Sequence, residues 1–322
     1  MRAIVGLGLF GLAACFLGLA VGAVPIPPGA VLDALFSSDA PAAGIVRNLR
    51  VPRVLLAFVV GGGLGVAGTA LQALVRNPLA DPYLLGISGG AGLAAVVAIA
   101  FGLDGAWSTP LAAFAGGLGG VALVYRLSAV AGRPLDPRVL VLAGVVVSAF
   151  AGALITAVLT LSPAEKLRNS FLWLLGGFSA SSWQALGVFS AYAAIPILSL
   201  GRAARSLDLL SLGEEPAEAL GLSVRKARRV VYLSASLLTA ASVAVCGIVG
   251  FVGLIAPHAL RTLLGPAHRR LLPAVFLASG GFLVAADALA RTVVRPIELP
   301  VGVVTSLIGV PLFALLLRRS LK

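Results

Sequence analysis

Nine stretches of the chain, each 18–24 residues long, are almost wholly apolar: 3–24, 53–75, 84–103, 107–126, 138–161, 184–201, 229–249, 272–290 and 300–318. A tenth, 251–264, is shorter and contains Pro257 and His258. About 20 apolar residues at 1.5 Å rise cross the ~30 Å hydrocarbon of a bilayer, so the pattern predicts an all-α polytopic membrane protein. Composition agrees. The chain is 59% hydrophobic and 11% charged, whereas a soluble domain is about 25% charged and needs those ions on its surface. The apolar content excludes disorder, and the 39 glycines show no collagen period.

The first run resembles a secretory signal because Arg2 precedes it and small residues close it. Its apolar length is about twice that of a signal core, which makes it a retained first helix. Cys15 and Cys246 both lie within apolar runs and read as buried hydrophobes, without disulfide or metal spacing. The net charge of +12 is dispersed in short groups between runs. That distribution fits anionic lipid and membrane orientation, not a nucleic-acid groove. With ten spans and an internal N-terminus, 17 of the 24 basic residues fall inside and seven outside. Nine spans would give 13 against 11, a poorer fit to the positive-inside rule. Ten spans, with both termini in the cytoplasm, is the expectation.

Ala57, Gly61, Gly65 and Thr69 recur every four residues, as do Gly116 and Gly120. Such stripes let helix backbones approach where lipid supplies no hydrophobic drive for association. Catalytic signatures are missing: there is no phosphate loop, HExxH or GxSxG, and only two histidines. Any ATP hydrolysis must come from a separate subunit. Most acids lie at span ends or in loops, namely Asp81, Asp104, Asp136, Glu165 and Glu298. Asp287 lies within a run, but Arg291 follows one helical turn later, so a local ion pair outweighs a proton relay. His258 reads as a hydrogen-bonded packing residue. An ion-coupled secondary transporter or channel, the alternative reading, would want ionisable groups in mid-membrane.

The longest internal polar insertion is 202–229. Within it, Gly213, Glu214, Glu215, Pro216, Ala217, Glu218, Ala219, Leu220 and Gly221 predict a two-turn helix. Acids and Pro216 sit in its first turn, Ser211 pairs with Glu214 as a cap, and Gly221 supplies a left-handed stop. A helix this short is unstable alone, which points to a docking element.

Three further segments are distinctive: Arg50-Val51-Pro52-Arg53; Gln72 to Pro82, reading QALVRNPLADP; and Leu85 to Gly92, reading LGISGGAG. With Leu212–Glu215, Ala219–Gly221, Gly250–His258 and Glu298–Thr305, they resemble the FecCD/BtuC-type permeases, membrane subunits of ABC importers for iron–siderophore, haem and cobalamin. The resemblance runs through the whole chain in order.

It implies a BtuC-like type II importer permease: one transmembrane domain over 1–322, ten helices, and an inverted repeat of helices 2–5 and 7–10. The 251–264 stretch becomes a short span, and 206–228 a cytoplasmic coupling-helix loop. Gly213, Glu214, Glu215, Ala217, Glu218, Ala219, Leu220 and Gly221 match the segment that enters an ATPase cleft. Arg50, Arg53 and Arg291 match external positions that meet acids of a substrate-binding protein. Asn77 and Leu79 match a cytoplasmic gate loop. The implied partners are a second copy, two ATPase subunits that use ATP and magnesium, the binding protein and membrane lipid. The implied location is the bacterial inner membrane. No cofactor, metal site or catalytic residue is expected in the chain itself.

Overall fold

The computed structural model describes residues 2–22, 24–132 and 135–320. Arg133 and Lys322, two basic residues of the charge count, lie outside the described residues, as do Met1, Ala23, Pro134 and Leu321. The described chain is helical, without strands. Its elements are α1 (Arg2–Ala20), α2 (Pro28–Phe36), α3 (Ala43–Ile45), a π turn (Val46–Arg50), α4 (Val51–Val75), a 3-10 turn (Pro82–Leu85), α5 (Ile87–Ala100), α6 (Ser108–Val130) and α7 (Pro137–Leu161). There follow α8 (Ala164–Leu174), α9 (Trp183–Arg202), α10 (Ala204–Leu212), α11 (Glu214–Ala219), α12 (Val224–Cys246), α13 (Val252–Leu264), α14 (His268–Ala290) and α15 (Val301–Ser320).

The ten apolar stretches correspond to α1, α4, α5, α6, α7, α9, α12, α13, α14 and α15. Among the described residues, seven helical segments are long and apolar enough to cross a bilayer, and α5 and α13 are shorter apolar helices. At 1.5 Å per residue, α5 and α13 reach only about 20 Å. Before α5 stand the 3-10 turn of Pro82–Leu85 and Gly86, and before α13 the irregular segment 247–251.

Helix α4 occupies the centre. Its span is 83% buried, against 28% for α1 and α7, which leaves those two at the periphery. The inverted repeat of α4–α7 and α12–α15 shows in how the helices pair. α4 packs on α13 and α14 of the second repeat, and α12 packs on α5 and α6 of the first. Both short helices start directly after a left-handed residue, Gly86 (φ 75°) and Phe251 (φ 69°).

The predicted glycine stripes carry these crossings. A Cβ on Gly61 would stand 2.5 Å from the Ser279 carbonyl oxygen on α14, and one on Gly120 2.5 Å from that of Gly86. Among the described residues, every ion pair between elements joins residues that the ten-span count puts on one side. Arg53 meets Asp287 and Glu298, and Lys166 meets Asp104, at one end; Arg228 meets Glu214, and His268 meets Asp208, at the other.

Candidate functional site

The insertion between α9 and α12 is folded, not a solvated loop. α10 buries Ala204, Leu207 and Leu210, packing against α4 and α14. It ends at Gly213, whose φ of 120° and ψ of 172° suit glycine alone, and the chain turns into α11. Ser211 does not cap this helix; its hydroxyl donates back to the Leu207 carbonyl at 2.9 Å. The predicted two-turn helix is present as six residues, Glu214–Ala219, with Leu220 as its cap. Gly221 (φ 83°) closes it, with the Leu222 amide donating to the Ala217 carbonyl at 2.9 Å. Ala217 is fully buried, and Glu214 is fixed by Arg228 at 3.0 Å.

Two large apolar side chains bracket this short helix and face outward: Leu212 is 62% and Leu220 61% exposed, beside the exposed Glu215 and Glu218. The segment also touches the end of α4. A Cβ on Gly213 would lie 3.3 Å from Arg76 Nη1, and Arg76 is the left-handed cap of α4. Asn77 follows directly, its Oδ1 accepting from the Leu79 amide at 2.9 Å to make a tight turn. The structure thus brings Gly213 against the side chain of Arg76, the residue that precedes the turn of Asn77 and Leu79.

That loop runs on into the crossing of the two repeats. Asp81 accepts from the Tyr83 amide at 2.9 Å and from the Phe251 amide, so one carboxylate ties the starts of both short helices. Desolvation pushes it up to about 6, against its hydrogen bonds, which favour the charged form. The Tyr83 hydroxyl donates to the Val249 carbonyl at 3.0 Å and accepts from the Val249 amide at 3.2 Å. One side chain therefore satisfies both backbone groups of a residue in the break before α13. Sequence reasoning did not single out Tyr83; its position two residues after Asp81, in an otherwise apolar stretch, is the signal that was present. His258 is half-buried in α13 and its ring makes no hydrogen bond among the described residues, unlike the expectation.

At the opposite end the three arginines are drawn inward. Arg50 is 7% and Arg291 4% exposed. Arg50 donates to the carbonyls of Leu19, Ala20 and Val24, and Arg291 to those of Gly18 and Val21 at 3.1 Å. Together they close the last turn of α1, whose final carbonyls have no partners within the helix. Arg53 bridges Asp287 at 2.9 Å and Glu298 at 3.0 Å, and Arg291 reaches the second Asp287 oxygen at 3.0 Å. The expected Asp287–Arg291 pair is present, enlarged by Arg53. Beside it lies a cavity of about 530 Å³ lined by Arg53, Glu298, Asp104, Asn169 and Trp173. Lys166 hydrogen-bonds Asp104 at its edge and holds that carboxyl below the usual range. Among the described residues no three His, Cys, Asp or Glu side chains gather as metal ligands would.

The sequence pattern of the FecCD transport family matches residues 10–319. The chain belongs to the FecCD transport family. FecD of Escherichia coli, an Fe(3+) dicitrate transport system permease, is 40% identical over 96% of this chain and 96% of its own. HmuU of Yersinia pestis, a hemin transport system permease, is 42% identical over 85% of this chain and 83% of its own. YvrB of Bacillus subtilis, an ABC transporter permease, is 39% identical over 94% and 90%. A solved inward-facing structure of a metal-chelate-type ABC transporter superposes with a TM-score of 0.88 at 32% identity, covering 99% of both chains. PsaBC from Streptococcus pneumoniae, at 19% identity and a TM-score of 0.57, shares the fold alone. This FecCD-family chain is accordingly a non-catalytic, multi-pass ABC transporter permease, and ATP hydrolysis belongs to a separate ATPase.

Proposed function

We propose that two copies of this chain form the import pathway for a metal-chelate compound (an iron–siderophore, haem or cobalamin) in the bacterial inner membrane, with both termini in the cytoplasm. Two ATPase subunits engage the α11 end, using ATP and magnesium, and a substrate-binding protein delivers cargo at the Arg53–Glu298 end. The permease itself carries no cofactor. The observation that supports this best is the α10–α11 hook: a buried Ala217, a glycine at each end, and Leu212 and Leu220 exposed beside acidic residues. Exposed apolar side chains rimmed by polar residues mark a surface that a partner covers. The packing of α10 on α4 and α14 supports reading 1–322 as a single domain with 206–228 as its coupling element.

Coupling passes from that hook to the permease by contact, Gly213 against Arg76 and onward to the turn of Asn77 and Leu79. Movement of α11 as a rigid body then acts directly on the gate loop. The cargo class rests on what the relatives carry by name, haem, iron citrate and cobalamin. The ion-coupled alternative finds no support in Asp287, which is held between two arginines.

The test is co-purification. The isolated permease hydrolyses no ATP, and activity appears on co-expression with the ATPase. Leu212→Glu with Leu220→Glu abolishes co-purification of the ATPase and leaves the thermal unfolding of the permease within about 2 °C. Retained ATPase binding by that variant overturns the role of α11.

A further inference from the structure

Between α9 and α14 lies a groove of about 720 Å³. Its floor is Val66 of α4, and its walls include Ile197, Leu272 and Phe276. From Arg269 to Leu277 the lining follows α14 over nine residues, about 12 Å along the axis. The groove is apolar along this length and changes character at one end. There Arg202, the last residue of α9, and Arg269, near the start of α14, join the lining.

Both guanidinium groups lack an ion-pair partner among the described residues, and both residues are exposed. The acid beside His268, Asp208, commits one oxygen to that residue. Asp208 Oδ1 accepts from the His268 backbone amide at 2.9 Å and contacts its Nδ1 at 2.6 Å. His268 also lines the groove, is 2% exposed, and its Nε2 has no hydrogen-bond partner among the described residues. An apolar slot about 12 Å long therefore ends in two cations without an ion-pair partner among the described residues.

We propose that this groove is a binding site for an anionic phospholipid, with an acyl chain between α9 and α14 and the phosphate held by Arg202 and Arg269. Charge complementarity decides the occupant: a basic pocket between spanning helices at a leaflet surface recognises an acidic headgroup, and a zwitterionic one gains less. The position gives such a lipid a consequence. Ala204, first residue of α10, lines the same groove, and the Asp208–His268 bond ties α10 to α14. The lipid thus sits at the root of the arm that ends in α11. This site depends on the geometry of the chain, not on the cargo.

Thermal unfolding of the purified full chain in neutral detergent tests it, with added dioleoyl phosphatidylglycerol, dioleoyl phosphatidylcholine or glycerol 3-phosphate. Each arginine near an anionic headgroup is worth roughly fivefold, so phosphatidylglycerol should stabilise at about thirtyfold lower concentration than phosphatidylcholine. Glycerol 3-phosphate should have no effect, because it has no chain to bury. Arg202→Gln with Arg269→Gln should bring the two lipids to within about threefold of each other. Equal action of both lipids on the wild type, a preference kept by the double variant, or glycerol 3-phosphate matching phosphatidylglycerol would each overturn the proposal. Photolabelling of the wild type with phosphatidylglycerol bearing a diazirine acyl chain covers a variant that does not purify. Label within residues 272–277 supports the site, and label only elsewhere overturns it.

Discussion

Arg53 of α4 and Asp287 of α14 are joined by a bond of 2.9 Å at a point where the carboxylate is 1% exposed. Arg291 holds the other oxygen at 3.0 Å, so one buried anion separates two guanidinium groups. A buried charge is tolerated only when paired and hydrogen-bonded, and here the pairing also fastens the two helices that cross at Gly61 and Gly65.

Removing that anion should therefore cost far more than removing the second acid of the cluster. Asp287→Asn leaves Arg53 and Arg291 facing each other with one buried anion fewer, which costs about 3 kcal/mol. Glu298→Gln removes an exposed pair worth less than about 1 kcal/mol. Thermal unfolding in detergent compares them, and equal, small shifts would show that the cluster contributes nothing structural.

Gly68 faces the backbone of Gly253 so closely that any Cβ there would collide with the Gly253 carbonyl, and a Cβ on Gly253 would stand 2.8 Å from the Leu64 carbonyl. Backbone obstacles cannot swing aside as side chains do. Gly68→Ala should separate α4 from α13 and sharply lower the yield of folded protein. Gly152→Ala, which meets nothing within 4 Å, should leave the yield unchanged. Size-exclusion profiles of the two variants in the same detergent decide the matter; a normal monodisperse peak for Gly68→Ala would refute so tight a crossing.

Asp81 gives a pH dependence whose sign is set by burial. Its value of about 6 in the fold lies above the ~3.9 of an unfolded chain, so the folded state holds its proton more tightly. Stability from this group is full below about pH 4 and falls as pH rises through 6. Asp81→Asn keeps an acceptor for the Tyr83 and Phe251 amides without the charge. It should be more stable than wild type at pH 7.5, by on the order of 2 kcal/mol, and no different below pH 4. Unfolding curves at pH 4, 6 and 7.5 check this, and a gap that widens toward low pH would reverse the assignment.

The ten apolar stretches and the glycine stripes were legible because bilayer thickness and helix rise fix the length of a span, and close backbone approach demands small residues. Gly221 was legible for a similar local reason. The elements that escaped are those decided by tertiary contact. α2, α8 and α10 are short and mixed in polarity, and α10 is helical because Leu207 and Leu210 find α4 and α14. Ser211 offered a capping pattern, yet the turn at Gly213 carried its hydroxyl back to Leu207. The tie between Tyr83 and Val249 spans 166 residues, and no local pattern announces it. The inward turn of Arg50 and Arg291 was likewise invisible, since their acceptors are backbone carbonyls of α1.

That inward turn bears on how the binding protein is recognised. Arg50 closes the end of α1 through the Leu19, Ala20 and Val24 carbonyls, and cations at a helix C-terminus are favourable partners for such groups. Arg50→Gln cannot reach all three, so the last turn of α1 should fray while the bundle centre holds. Hydrogen exchange at residues 15–22 should quicken at least tenfold, with amides of α4 and α12 unchanged. Arg295→Glu, on the exposed surface of the same end, should leave exchange alone and weaken binding-protein docking at low salt, because exposed charges act by steering. If Arg50→Gln instead lowers docking affinity with α1 exchange at the wild-type rate, Arg50 contacts the partner directly and its role in closing α1 is dispensable.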